Sequence, residues 1–286
     1  LFLFFAFAIR TYPVQTFIAQ KVASYLSSEL GAEIKLEALE IIFFDRVLVK
    51  NIHIKDRQNQ TLLLLEEMDV RINSNIFFDT PFGVDKIKLS RGEVNISRDK
   101  LTGIFNFQFI ADYFEQAPDP TAKPIDFGID YIELDDVDFN YNDFRKPEST
   151  FGFDHNHIGL NDLKLAIHHF KMADDQYRFD IKSISCKDRS GIFLTDFQSS
   201  IFLKEGEIVL NSLLIETDSS KVFAPQFTFH FDEWADFSNF SEEVEFNVRI
   251  DSSTVSLGDI AFFVHDLKGM NDVVTLRGNF TDVISA

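Results

Sequence analysis

The chain has 286 residues, 45% hydrophobic and 26% charged, and a formal net charge of −19. Such a balance belongs to a folded chain of one large domain or two ordinary ones and excludes a disordered one. The acidic excess leaves no surplus of Lys and Arg to neutralise phosphates, which argues against a nucleic-acid partner. Phenylalanine is the unusual component, 34 residues against six Tyr and one Trp. It supplies apolar area with no polar handle, so this sequence has much apolar surface to place. One cysteine, Cys186, forbids an internal disulfide.

In chain order, the first element is the apolar run LFLFFAFAI, with Leu1, Phe2, Leu3, Phe4, Phe5, Phe7 and Ile9 leading to Arg10. It has about half the ~20 residues needed to cross a bilayer. Residues 1–10 are expected to be the C-terminal part of a transmembrane anchor; a truncated signal peptide and an ordinary buried helix are the other readings. The absence of an initiator Met and of a closing element before Ala286 reads as a fragment of a longer chain. Residues 13–30 follow as an amphipathic helix. Pro13 suits its first turn. Val14, Phe17, Ile18, Val22, Tyr25, Leu26 and Leu30 repeat at helical spacing, and Gly31 suits its stop. A helix that caps a core is expected over a membrane-surface helix, because Lys21 is its lone cation.

Beyond Gly31 the pattern becomes that of strands, with one recurring phrase: apolar residues at offsets 0, 2, 5 and 7. It occurs at Ile34, Leu36, Leu39, Ile41 and at Val47, Val49, Ile52, Ile54. It returns at Ile132, Leu134, Val137, Phe139 and at Ile158, Leu160, Leu163, Leu165. A step of three would throw the second half of a plain strand onto the other face. One extra residue, a β-bulge, restores the phase and bends the strand. Ile87, Leu89, Val94 and Ile96 form a longer version around Gly92. The expected fold is therefore mainly β, a long curved antiparallel sheet with one continuous apolar face; short hairpins of an ordinary sandwich are the alternative. Simple alternation in FTFHF (Phe227, Phe229, Phe231) and FNVRI (Phe246, Val248, Ile250) adds two strands with one wet face. GIFNFQFIADYF reads as strand or short helix. The proline-rich loop at 117–124 separates a first sheet region, 31–116, from its continuation, 125–286. SLGDIAFFVHDLKG reads as a short helix with Asp259 as N-cap and Gly269 as stop.

Chemistry is sparse. His155 and His157, two apart with Asp154 beside them, are weak candidates for a metal, and His168 or His169 would have to supply a further ligand. Solvated loop histidines are the expected reading. Asp135-Asp136 and Asp174-Asp175 read as polar turn residues, because neighbours on a strand point to opposite faces. Cys186 has no patterned base near it. No phosphate-binding loop or nucleophile motif is present. The sequence does not look like that of an enzyme, and no cofactor is expected.

The phrases YPVQTFIAQKVASYLSSELGAEI, IIFFDRVLVKNIHIKDRQNQTLLL, FDHNHIGLNDLKL and SLGDIAFFVHDLKGMNDVVTLRGNF together resemble the N-terminal region of the TamB family, the AsmA-like inner-membrane component of a translocation and assembly module, in its Bacteroidota-like form. The resemblance implies a single-pass inner-membrane anchor and a β-taco, a U-shaped groove, in the periplasm of a diderm bacterium. It also implies an Omp85-class outer-membrane barrel as partner, met through a C-terminal region beyond this chain. The implied role is phospholipid transport between the membranes and support of outer-membrane biogenesis. The expected lining for acyl chains is Ile87, Leu89, Val94, Ile96, Ile132, Leu134, Val137, Phe139, Phe227, Phe229, Phe231, Phe246, Val248 and Ile250. Two other classes stay open: an assembly factor for outer-membrane proteins that works through strand edges, and a structural or adhesive β-protein.

Overall fold

The computed structural model describes residues 11–42, 45–72, 84–115 and 127–282. The chain is mainly β, and thirteen strands form one open antiparallel sheet whose order follows the sequence. Local sequence explains this order: strands joined by tight turns pair with their chain neighbours before any distant partner competes. The sheet divides between two compact units.

The first unit opens with helix α1 (Tyr12–Leu30), followed by β1 (Ile34–Lys35), β2 (Ala38–Ile42), β3 (Arg46–Lys55), β4 (Thr61–Ile72) and β5 (Val84–Arg98). Helix α2 (Gln108–Glu115) comes next, then most of β6 (Phe127–Asp143) and the start of β7 (His157–Ala173). β1 and β2 both pair with β3, as two halves of one edge strand interrupted at Leu36–Glu37. The ambiguous GIFNFQFIADYF segment resolves as helix α2 after a bridge between Arg98 and Phe105.

Helix α1 starts and stops as its sequence requires, with proline in the first turn and Gly31 in the left-handed region at φ 63°. Its packing face is only in part the one its large apolar residues mark: Leu30 is buried and Leu26 packs against the core, but Phe17 and Tyr25 lie off it. Gln15, Ala19, Ala23 and Leu30 are buried, while Phe17 and Tyr25 are each 59% exposed. Ala19 and Ala23, at four-residue spacing, let the helix lie close to the sheet, and Phe17 and Tyr25 turn outward. Ala23 and Leu30 meet Ile34, Leu62 and Phe109, with Ile96 and Ile110 packed against them. Helices α1 and α2 thus cover one end of this unit's apolar face.

The second unit holds the rest of β7, then β8 (Gln176–Asp188), β9 (Phe193–Lys204), β10 (Glu207–Thr217), β11 (Lys221–His230), β12 (Glu245–Ser256) and β13 (Val273–Asp282). Asp174 and Asp175, both with positive φ, make the tight β7–β8 turn, as their composition predicts. The expected helix at 256–269 is instead a single turn, α4 (Leu257–Ile260), and a 3₁₀ turn, His265–Leu267. It follows an equally short α3 (Phe240–Glu243) between β11 and β12. The N-cap of α4 is Ser256, whose Oγ accepts from the Gly258 amide at 3.2 Å. Asp259 accepts instead from the Thr217 hydroxyl at 2.6 Å and from Ser220, tying this segment to the β10–β11 turn.

Among the described residues no helix is long and apolar enough to cross a membrane. The expected anchor at Leu1–Arg10 and the proline-rich loop at 117–124 lie outside the described residues.

Candidate functional site

The apolar phrase decides the geometry of both units. In β3 the polar pair Lys50-Asn51 sits between Val49 and Ile52, and Asn51 takes φ 48°. In β6 and β7 the same position is filled by Asp136 at 61° and Asp162 at 54°, and in β5 by Arg91 at 51°. Short polar side chains tolerate this left-handed backbone, which explains why Asn and Asp recur there. Asp135-Asp136 are therefore mid-strand kink residues and not a turn.

These kinks differ from the isolated bulges expected from sequence. Lys50 pairs with Glu67 and Ile52 with Leu65, so β3 and β4 hold one register through the kink. The same is true of Leu65 with Gly92 and Glu67 with Ser90. β3, β4 and β5 carry the extra residue at the same level, so the sheet creases along a line there instead of slipping. Strand β4 has the phrase as well, at Leu63, Leu65, Met68 and Val70, and sequence reasoning missed it inside LLLLEEMDV.

A residue beside each kink points into the crease, after it in β3 and β6 and before it in β4. Ile52 is 2% exposed, Leu65 1% and Val137 0%, and these pack with Val49 against half-buried Leu89, Val94 and Leu134. Where β5 crosses the same line, Gly92 fills the position. A Cβ there would stand 2.0 Å from the Leu64 carbonyl oxygen and 2.8 Å from the Leu65 Cα. Only glycine permits that approach.

In the second unit the kink recurs in β10, at Ser212 with φ 52°, and in β12, at Ser252 with φ 41°. Ile208, Leu210, Leu213 and Ile215 carry the 0-2-5-7 spacing and could have revealed the first. The second is hidden because a serine, Ser253, occupies the apolar place. β9 and β13 run straight, and the register shifts by one where they meet β10 and β12. Here the crease is lined by Leu213 and Ala224 and by two buried hydroxyls. Ser253 is fully buried, its Oγ accepting from the Phe223 amide at 2.8 Å. Ser199 Oγ donates to the Asn211 carbonyl at 3.1 Å. The hydroxyls complete a hydrogen-bond ladder that the kink interrupts.

The predicted lining residues follow this pattern. Phe227 pairs with Val248 and Phe229 with Phe246 on neighbouring strands, and the Phe227 and Phe229 rings lie 4.2 Å apart. Ile87, Leu89, Val94, Ile96, Ile132, Leu134, Phe139, Phe227, Phe229, Phe246 and Ile250 are half-buried. Val137, Phe231 and Val248 are buried and support the face from within its packing. Ile96 lies under α2. The opposite face is wet: Lys88 reaches Glu133 at 2.8 Å and Asp135 at 3.1 Å, and those carboxylates hold its ammonium pKa up.

The histidines do not converge. His155 pairs with Asn156 at 3.0 Å, and buried His157 sets Nδ1 3.1 Å from Asp154. His168 packs on the Tyr131 ring at 4.7 Å, and His169 meets Asp180 at 3.1 Å. Among the described residues no group of three or more His, Cys, Asp or Glu could hold a metal ion. Cys186 is buried, which pushes its thiol pKa up, with Asp188 adding to the shift. A scan against protein-family models finds no match, and no curated protein matches the chain.

Proposed function

We propose that this protein is a non-enzymatic carrier for lipid acyl chains, which lie along the half-buried apolar face while the headgroups stay in water. The observation that carries the reading is the kink. It keeps one face apolar on both sides of the crease without closing that face beneath a second sheet layer within either unit. Each methylene taken out of water contributes about 0.8 kcal/mol, so a continuous apolar path lets a chain slide where no single residue holds it. The resemblance to the TamB family extends the proposal to a β-taco groove on an inner-membrane anchor. There it would move phospholipid to the outer membrane and work with an Omp85-class barrel through a region beyond this chain.

A photoreactive residue at half-buried Phe229, introduced into the protein in its native cell, tests the proposal. Phospholipid captured at that position supports it. Capture of outer-membrane protein precursors without lipid would replace it with an assembly factor. Capture of neither would leave a structural β-protein.

A further inference from the structure

The connection between β11 and β12 runs through residues 231–244, whereas Glu205 and Gly206 alone join β9 to β10. This connection carries the single tryptophan of the chain, in the 3₁₀ turn Trp234–Asn239. The turn folds onto the end of the second unit's aromatic row. Phe231, 6% exposed, lies under it, with ring centroids 4.8 Å from Trp234 and 5.0 Å from Phe237. Phe237 also reaches Phe229 at 6.4 Å. Trp234 itself is 50% exposed. The turn carries hydrogen bonds of its own, because Asp236 accepts from the Asp232 and Glu233 amides at 2.8 and 2.9 Å. A turn that satisfies its own amides and meets the sheet through rings can lift while the strand ladder stays intact.

Its charge is one-sided. No Lys or Arg occurs between Lys221 and Arg249, while Asp232, Glu233, Glu242 and Glu243 are exposed on the connection. Glu233 adjoins Trp234 in the chain, within a Debye length of any headgroup beside that ring, so the acidic connection repels an anionic head and favours one with a positive charge.

We propose that the Trp234 turn is a displaceable stop at the end of this apolar row, lifted by a single alkyl chain whose head is cationic or zwitterionic. The inference rests on the acyl-chain reading of the face, and the test separates the two. The full chain, with Cys186→Ser and an environment-sensitive fluorophore at Ile250→Cys, is titrated with three twelve-carbon probes below their micelle concentrations. The probes are dodecylphosphocholine, dodecyltrimethylammonium and dodecanoate. Trp234 emission reports the stop and the label reports the row.

The expected result is a saturable change in both signals, with dodecanoate needing about tenfold more probe at low salt. That gap should shrink at high salt, and in the combined Glu233→Gln, Glu242→Gln, Glu243→Gln variant. Equal response to all three probes would overturn the charge selection. A responding label with silent Trp234 would overturn the stop while leaving the row as a binding surface. Silence of both signals would overturn the acyl-chain reading itself.

Discussion

The creases of the two units share kink residues in the left-handed region and differ in what fills them. In the first, Ile52, Leu65 and Val137 are buried at the kink. In the second, Leu213 and Ala224 share the place with Ser199 and Ser253. The first is held by packing, and a lost methylene there leaves a cavity. The second is held partly by hydroxyls that replace main-chain bonds, and a lost oxygen there strands a buried amide. A kinked sheet thus needs small or apolar volume at the crease, and a hydroxyl there can also partner a main-chain group that the kink leaves unpaired.

Substitutions at the two creases test this contrast. The largest effect is expected for Gly92→Ala, whose Cβ overlaps the β4 backbone; it should cost about 3 kcal/mol or more in urea unfolding. Near-wild-type stability would mean that β4 and β5 do not approach as described. Leu65→Ala should cost about 2–5 kcal/mol by the same measurement, the price of a cavity in the aliphatic crease. Ser253→Ala should cost about 1–3 kcal/mol, and amide exchange should quicken at Phe223, which loses its acceptor. An unchanged exchange rate there would remove the distinction between the two creases. At the kink itself, Asp136→Val should lose about 1–2 kcal/mol at φ 61°, while Asp136→Gly stays within about 1 kcal/mol of wild type.

A smaller pH effect is expected in each unit. The Arg145 guanidinium holds the buried Asp143 carboxyl down at about 2. In the second unit Ser200, His169 and Lys182 do the same for Asp180. A depressed carboxyl pKa stabilises the fold above the ordinary value near 4, and that contribution fades as pH falls toward about 2. Asp143→Asn and Asp180→Asn should each flatten the loss of stability between about pH 4 and 2, followed by thermal unfolding across that range. A slope unchanged from wild type would show that the pair in question does not feed acid stability.

Much of the site was legible because the face of a strand is set by parity. A step of three between apolar residues forces a kink, and Asn51, Asp136 and Asp162 sit at it as the spacing requires. The ends of α1 were legible for an equally local reason, proline at the start and glycine past the end. Its buried face was legible only in part, since Leu26 and Leu30 pack as their spacing predicts, whereas the choice between Ala19 and Phe17 depends on how near the sheet comes. Ser253 was illegible too, since a serine reads as polar until a neighbouring strand presents it with an unpaired amide.

Spacing and backbone preference within a few residues are enough to make the chain strands with one apolar face, to place their bends, and to start and stop the first helix. Packing between strands sets the rest: that β3, β4 and β5 kink at one level, that Gly92 must lack a side chain, and that the Trp234 turn rests on Phe231. Those depend on which residues of separate strands stand opposite each other, and pairing between strands leaves no periodic trace in either strand alone.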